Sequence, residues 1–188
     1  MPRSSEEKSP LALAVFGPIS LPNELVVEAS EKEAERFIHA AFSKLHPRHD
    51  WRKKEGCYVF ALQNQSCPVP YYAGQANRPL CQECVTSRNL RSYHRAMNRF
   101  KGLALMFFVA AAGPTKNDLD AALIDELEAE LIRLTVRSNP RRVLNVQGAH
   151  GKRKPYYVKG IPELSYTSKV GKGNAASGAF ASMFFANP

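Results

Sequence analysis

The chain has 188 residues, 44% hydrophobic and 23% charged, which is enough for one well-cored domain with extensions or two very small ones. Its 26 Lys and Arg against 17 Asp and Glu leave a net charge of +9, a surplus that suits an anionic partner, nucleic acid first among them. No apolar run approaches the roughly 20 residues of a membrane-spanning helix, and the acidic, polar start from Met1 to Lys8 is unlike a secretion signal, so a cytoplasmic protein with no membrane partner is expected.

Residues 1 to 10 are polar and charged and are expected to be disordered. Leu11 to Val27 is apolar but interrupted at Gly17-Pro18 and Leu21-Pro22, which predicts one or two short strands or an extended arm. Ser30 with Glu33 forms a capping-box pattern that opens a helix. Ala34, Phe37, Ile38, Ala41, Phe42 and Leu45 then repeat on one face until Pro47 forces an end. Gly56 to Leu62 and Val69 to Gly74 are strand-like runs joined by the polar segment Gln63 to Pro68. They predict a hairpin that holds Tyr58 and Tyr72 near one another.

Cys81 and Cys84 have metal-ligand spacing, and Cys67 and His94 would complete a set of four. A second C-x-x-C is missing, so free thiols are the default and a structural Zn²⁺ the exception. Ser87 to Arg99 reads as a helix whose Arg88, Arg91, Arg95 and Arg99 make a basic face beside Tyr93 and His94. Such a face neutralises phosphates, or is simply solvated. Gly102 to Ala112 is a continuous apolar run that fits a central strand covered on both sides. A second helix, capped by Asn117 or Asp118, is expected to run to about Arg137 on a stripe from Leu119 to Leu134. In it Glu126 and Glu130 have polar or charged neighbours one turn away and are expected to face solvent. Glu128 differs, because Ile124 and Ile132 lie one turn to either side. A carboxylate on that apolar edge suits a divalent cation. The tail from Gly148 is first basic, with Tyr156-Tyr157, and then rich in Gly, Ala and Ser, as suits a nucleic-acid-contacting arm. Gly171-Lys172-Gly173 lacks the full spacing of a phosphate loop.

Gly56-Cys57-Tyr58, Tyr72-Ala73-Gly74, the Arg/His-rich helix, the helix with Glu128-Ala129-Glu130-Leu131-Ile132 and then Val143-Leu144-Asn145 stand in an order that resembles the GIY-YIG nuclease family over roughly residues 52 to 148. The resemblance implies an α/β (α+β) protein with a small, mainly antiparallel three-stranded sheet flanked by helices. It divides the chain into an N-terminal extension (1–50), a nuclease-like core (51–148) and a basic C-terminal arm (149–188). It implies a metal-dependent endonuclease that hydrolyses phosphodiester bonds in DNA, double-stranded before single-stranded. By resemblance, Tyr58 orients or activates water, Tyr72 positions the phosphate, and Glu128 holds Mg²⁺ or Mn²⁺. Arg91 with His94 stabilises charge, Asn145 is the late Asn, Asn139 is its runner-up, and Arg88 and Tyr93 are held in reserve. The family places a Tyr or His four residues after its Arg, whereas here those positions are Arg95 and Ser92. The alternatives are a non-catalytic nucleic-acid-binding module on the same scaffold and a zinc-stabilised interaction protein.

Overall fold

The apolar run after Gly102 folds, as its composition predicts, into a strand with both faces covered. The computed structural model describes residues 11–64, 67–113, 119–144, 156–165 and 171–185. Within them the strands are β1 (Leu11–Ser20), β2 (Gly56–Gln63), β3 (Pro68–Ala76), β4 (Leu103–Ala111) and β5 (Tyr156–Val158). The helices are α1 (Asn23–Val27), α2 (Glu31–Leu45), α3 (Leu80–Glu83), α4 (Ser87–Arg99), α5 (Ala121–Ser138) and α6 (Ala175–Phe185), with a 3₁₀ turn at Pro162–Leu164. One sheet of order β3-β2-β4-β1-β5 holds the strands together. Every pairing is antiparallel except that of β5, which runs parallel to β1.

The mixed α/β class is as expected, but the sheet is larger than the three strands anticipated. β3, β2 and β4 are neighbours within it. β1 and β5 extend the sheet because β4, apolar on both faces, would otherwise leave an unpaired edge. β1 supplies the missing partner: Leu13 and Val15 are buried on one face, Ala14 and Phe16 on the other, with Leu13 opposite Ala111 and Val15 opposite Val109.

Two helical layers cover the sheet. On one face Val59, Ala61, Phe107 and Val109 pack against Leu123, Leu127 and Leu131 of α5 and Phe180 and Phe184 of α6. On the other face Tyr58, Phe60, Met106 and Phe108 meet Ile38 and Phe42 of α2, Trp51, Leu80 of α3, and Leu90 and Tyr93 of α4. The capping box of α2 is present: the Ser30 hydroxyl accepts from Glu33 N at 3.3 Å, and the Glu33 carboxylate accepts from Ser30 N at 2.8 Å. Among the described residues no helix is long and apolar enough to cross a membrane.

Two expectations for α5 are corrected. Its cap is Asp120, whose carboxylate accepts from Leu123 N at 2.9 Å, while Asn117 and Asp118 lie outside the described residues. Glu126 does not face solvent: it is 6% exposed, because α5 packs on the sheet with α6 beside it in the same layer and buries more than one stripe.

Candidate active site

The hairpin of β2 and β3 brings the two tyrosines together through its register. Tyr58 lies opposite Gly74, and Phe60 lies opposite Tyr72, but Ala61 already pairs with Pro70. Tyr71 is therefore the extra residue of a bulge, and such an insertion lets two consecutive side chains turn toward one face. Tyr71 is buried with its ring 5.0 Å from Phe100 at the end of α4, and Tyr72 is half-buried with its ring 6.1 Å from that of Tyr58. The glycine matters for space. A Cβ on Gly74 would fall 2.6 Å from both Cζ and Oη of Tyr58, so the phenol lies across bare backbone to reach Tyr72.

A short polar network results. The Tyr58 and Tyr72 hydroxyls share a hydrogen bond, and Asn89 Nδ2 donates to Tyr58 Oη at 2.8 Å. The same Nδ2 donates to the Glu83 carbonyl, also at 2.8 Å, which fixes the amide's orientation. Asn89 stands in the first turn of α4, whose cap is the Thr86 hydroxyl accepting from Asn89 N. Burial pushes the Tyr58 phenol far above its ordinary pKa, with neighbouring Tyr72 adding to the shift, so Tyr58 is a neutral hydroxyl at physiological pH. Burial also raises Tyr72, where the Tyr58 hydrogen bond and the Arg88 charge pull downward and the Glu128 charge pushes upward. Two opposite charges, Arg88 from α4 and Glu128 from α5, thus act on the same phenol.

Glu128 reaches the edge of the sheet from the opposite layer. Its Oε1 accepts from the backbone N–H of Gln75, the residue after Gly74, at 3.1 Å. Burial raises its carboxyl above the ordinary range; the Gln75 bond opposes this and Asp125 adds to it. The side-chain oxygen of Gln75 is itself buried without a hydrogen-bond partner. A half-buried carboxylate and an unsatisfied amide oxygen are the donors a hard divalent cation prefers, so the residues fit Mg²⁺ or Mn²⁺. Among the described residues no three of His, Cys, Asp and Glu are gathered as a closed metal cage requires. A magnesium ion held by one carboxylate, water and substrate phosphate needs no such cage.

The remaining sequence candidates fall elsewhere. Arg91 is exposed on α4, and its charge acts on Glu31 of α2. His94 meets Asn98 one turn on, with Nε2 2.7 Å from Nδ2. Tyr93 is a core residue, stacked on Phe60 at 4.3 Å, and its hydroxyl donates to the Cys84 carbonyl. Asn145 lies outside the described residues. Asn139 is buried and donates from Nδ2 to the Pro70 carbonyl at 2.8 Å, anchoring the loop after α5 to β3. The zinc candidates are dispersed in their contacts: Cys81 Sγ bonds the Trp51 carbonyl, Cys84 is fully buried under α4, and Cys67 lines a cavity of about 140 Å³ with Pro68, Ser138 and Met183. Asn89 and Gln75 escaped sequence reasoning, and only the position of Asn89 in a first helical turn hinted at a role. No family model, no curated protein and no solved structure matches this chain, so the chemistry of the site rests on its own residues.

Proposed function

We propose that the chain is a metal-dependent endonuclease of GIY-YIG type that hydrolyses phosphodiester bonds in DNA. The observation that carries this reading is the meeting of Tyr58, Tyr72 and Glu128 at one end of the hairpin, with Arg88 acting on the same phenol. In the reaction a water oxygen bonds to phosphorus, the bond from phosphorus to the leaving sugar oxygen breaks, and the proton of the water passes to solvent or the leaving oxygen. The Tyr58–Tyr72 pair orients the water as neutral phenols, with the half-exposed Tyr72 nearer the substrate and Tyr58 braced behind it by Asn89. Arg88, rather than Arg91, stands where a guanidinium can offset charge on the phosphate. Glu128 and the Gln75 amide oxygen would hold the divalent cation, which when bound polarises the phosphate and lowers the pKa of water.

A second reading has its own observation. Tyr58 and Asn89 are buried and bonded within the protein, as they would be in a scaffold that binds nucleic acid without cutting it. Plasmid and single-strand cleavage with Mg²⁺, Mn²⁺ or EDTA, wild type beside Glu128→Ala, separates the two. The nuclease reading expects metal-dependent cutting that disappears in the variant. Binding in low salt with no cutting under any condition would move the assignment to the scaffold.

A further inference from the structure

We infer that α4 and the loop after α5 form a rail for the backbone of duplex DNA, ending in an Arg99–Phe100–Arg142 clamp at the end of the helix opposite Arg88. The inference rests on the nuclease reading for its substrate and on separate residues for its geometry. Arg88, Arg91, Arg95 and Arg99 are all exposed, and none forms an ion pair with a described residue. Successive members are three or four residues apart, a spacing at which like charges repel on a helix. A helix keeps such a row where an anion compensates it. Arg88 and Arg99 are eleven residues apart, which places them about three turns and roughly 16 Å from each other along one side of α4.

The far end is built from two chain segments. The Arg99 and Arg142 guanidinium groups lie over the same Phe100 ring, at 5.3 and 4.7 Å from its centroid. Arg142 comes from the loop after α5, and three bonds fix that loop: Asn139 Nδ2 to the Pro70 carbonyl, Arg142 N to the Asn139 carbonyl at 3.2 Å, and Leu144 N to the Tyr71 carbonyl at 2.7 Å. Pro70 and Tyr71 belong to β3, the strand that carries Tyr72. Clamp and site are therefore attached to one rigid strand, so their separation is set by the fold.

The occupant is a duplex backbone rather than a single strand. Single strands are held largely by stacking bases on exposed aromatic rings. Among the aromatic side chains whose burial is described none is exposed, and Phe100 is covered by its two arginines. What the rail offers is guanidinium charge along a straight line. At about 3.4 Å of rise per phosphate, 16 Å corresponds to about five base pairs between Arg88 and the clamp.

The test is binding of a fluorescent duplex of about 30 base pairs in EDTA, titrated with salt, for wild type, Arg99→Ala/Arg142→Ala, the matching Lys/Lys variant and Arg36→Ala on α2 as a single-charge control away from the rail. The rail predicts that the Ala pair lowers the slope of log K against log salt by about 1.8 and weakens affinity on the order of tens of fold at 0.1 M salt. The Lys pair should restore the slope, and Arg36→Ala should leave it unchanged. An unaltered slope in the Ala pair, or an equal fall with Arg36→Ala, would overturn the clamp, as would equal competition by single-stranded DNA or an RNA duplex. These readings are taken without metal, so loss of the clamp leaves the nuclease assignment standing. Conversely, a protein that binds as predicted but never cuts keeps the clamp and loses the nuclease.

Discussion

The two faces of the sheet are built from neighbouring residues of the same strands, yet they differ in kind. On the face toward α5 and α6, Cys57, Val59, Ala61, Phe107 and Val109 meet the leucines of α5 and the phenylalanines of α6, and the buried polar groups of that layer, Glu126, Thr135, Asn139 and Ser177, belong to the helices or their ends rather than to the strands. On the face toward α2, α3 and α4, Tyr58 bonds Tyr72 and Asn89, Tyr93 bonds the Cys84 carbonyl, and the buried Lys54 ammonium donates to the carbonyls of Ala111 and Gly113. Burying polar groups costs stability unless each finds a partner, and here they are joined into networks. The difference teaches that on the α4 side the polar contacts run from strand side chains to helix side chains, Tyr58 to Asn89 above all. Glu128 belongs to the apolar layer by its helix and to the polar face by its contact, since it bonds Gln75 at the sheet edge.

The largest way to break this contrast is Gly74→Ala. Its Cβ would sit 2.6 Å from the Tyr58 ring and hydroxyl, and that phenol is buried and held by Asn89, so it cannot swing out to solvent. Overpacking of this kind costs about 1–3 kcal/mol, and thermal unfolding should show it together with loss of cleavage, because the Tyr58–Tyr72 bond is displaced.

A smaller effect sharpens the contrast. Burial raises the Glu128 carboxyl above 4.5. A group raised on folding favours the folded state fully below its unfolded pKa and loses that contribution as pH rises through its folded value. Without metal, Glu128→Gln should therefore melt roughly 1–3 °C above wild type at about pH 8 and approach it below about pH 4.5. Cleavage by wild type should fall as pH drops through the raised value. A variant less stable than wild type at pH 8 would mean that the carboxylate is there for the fold.

Much of this was legible in the sequence wherever a local pattern decided the outcome. Ser30 and Glu33 announce α2, the hairpin runs announce Tyr58 beside Tyr72, and the isoleucines one turn either side of Glu128 mark it among its acidic neighbours. Features set by packing between distant segments were hidden. The bulge at Tyr71 depends on register, the burial of Glu126 on the layer formed with α6, and the place of β1 on the free edge of β4. Arg88 and Arg91 are alike in sequence, and only the fold brings the charge of one to bear on Tyr72 and of the other on Glu31.

Tyr58 and Val59 are neighbours on β2 that point to opposite faces, and comparing Tyr58→Phe with Val59→Ala tests the division of labour most directly. Plasmid cleavage and thermal melting would be measured side by side, with cleavage run well below either melting point. Val59→Ala should lose roughly 2 kcal/mol of stability and keep its cleavage rate. Tyr58→Phe should stay folded and lose about a hundredfold in rate, because Tyr72 then loses the hydroxyl that holds it in place toward the water. A Tyr58→Phe protein that cuts as fast as wild type would contradict the account.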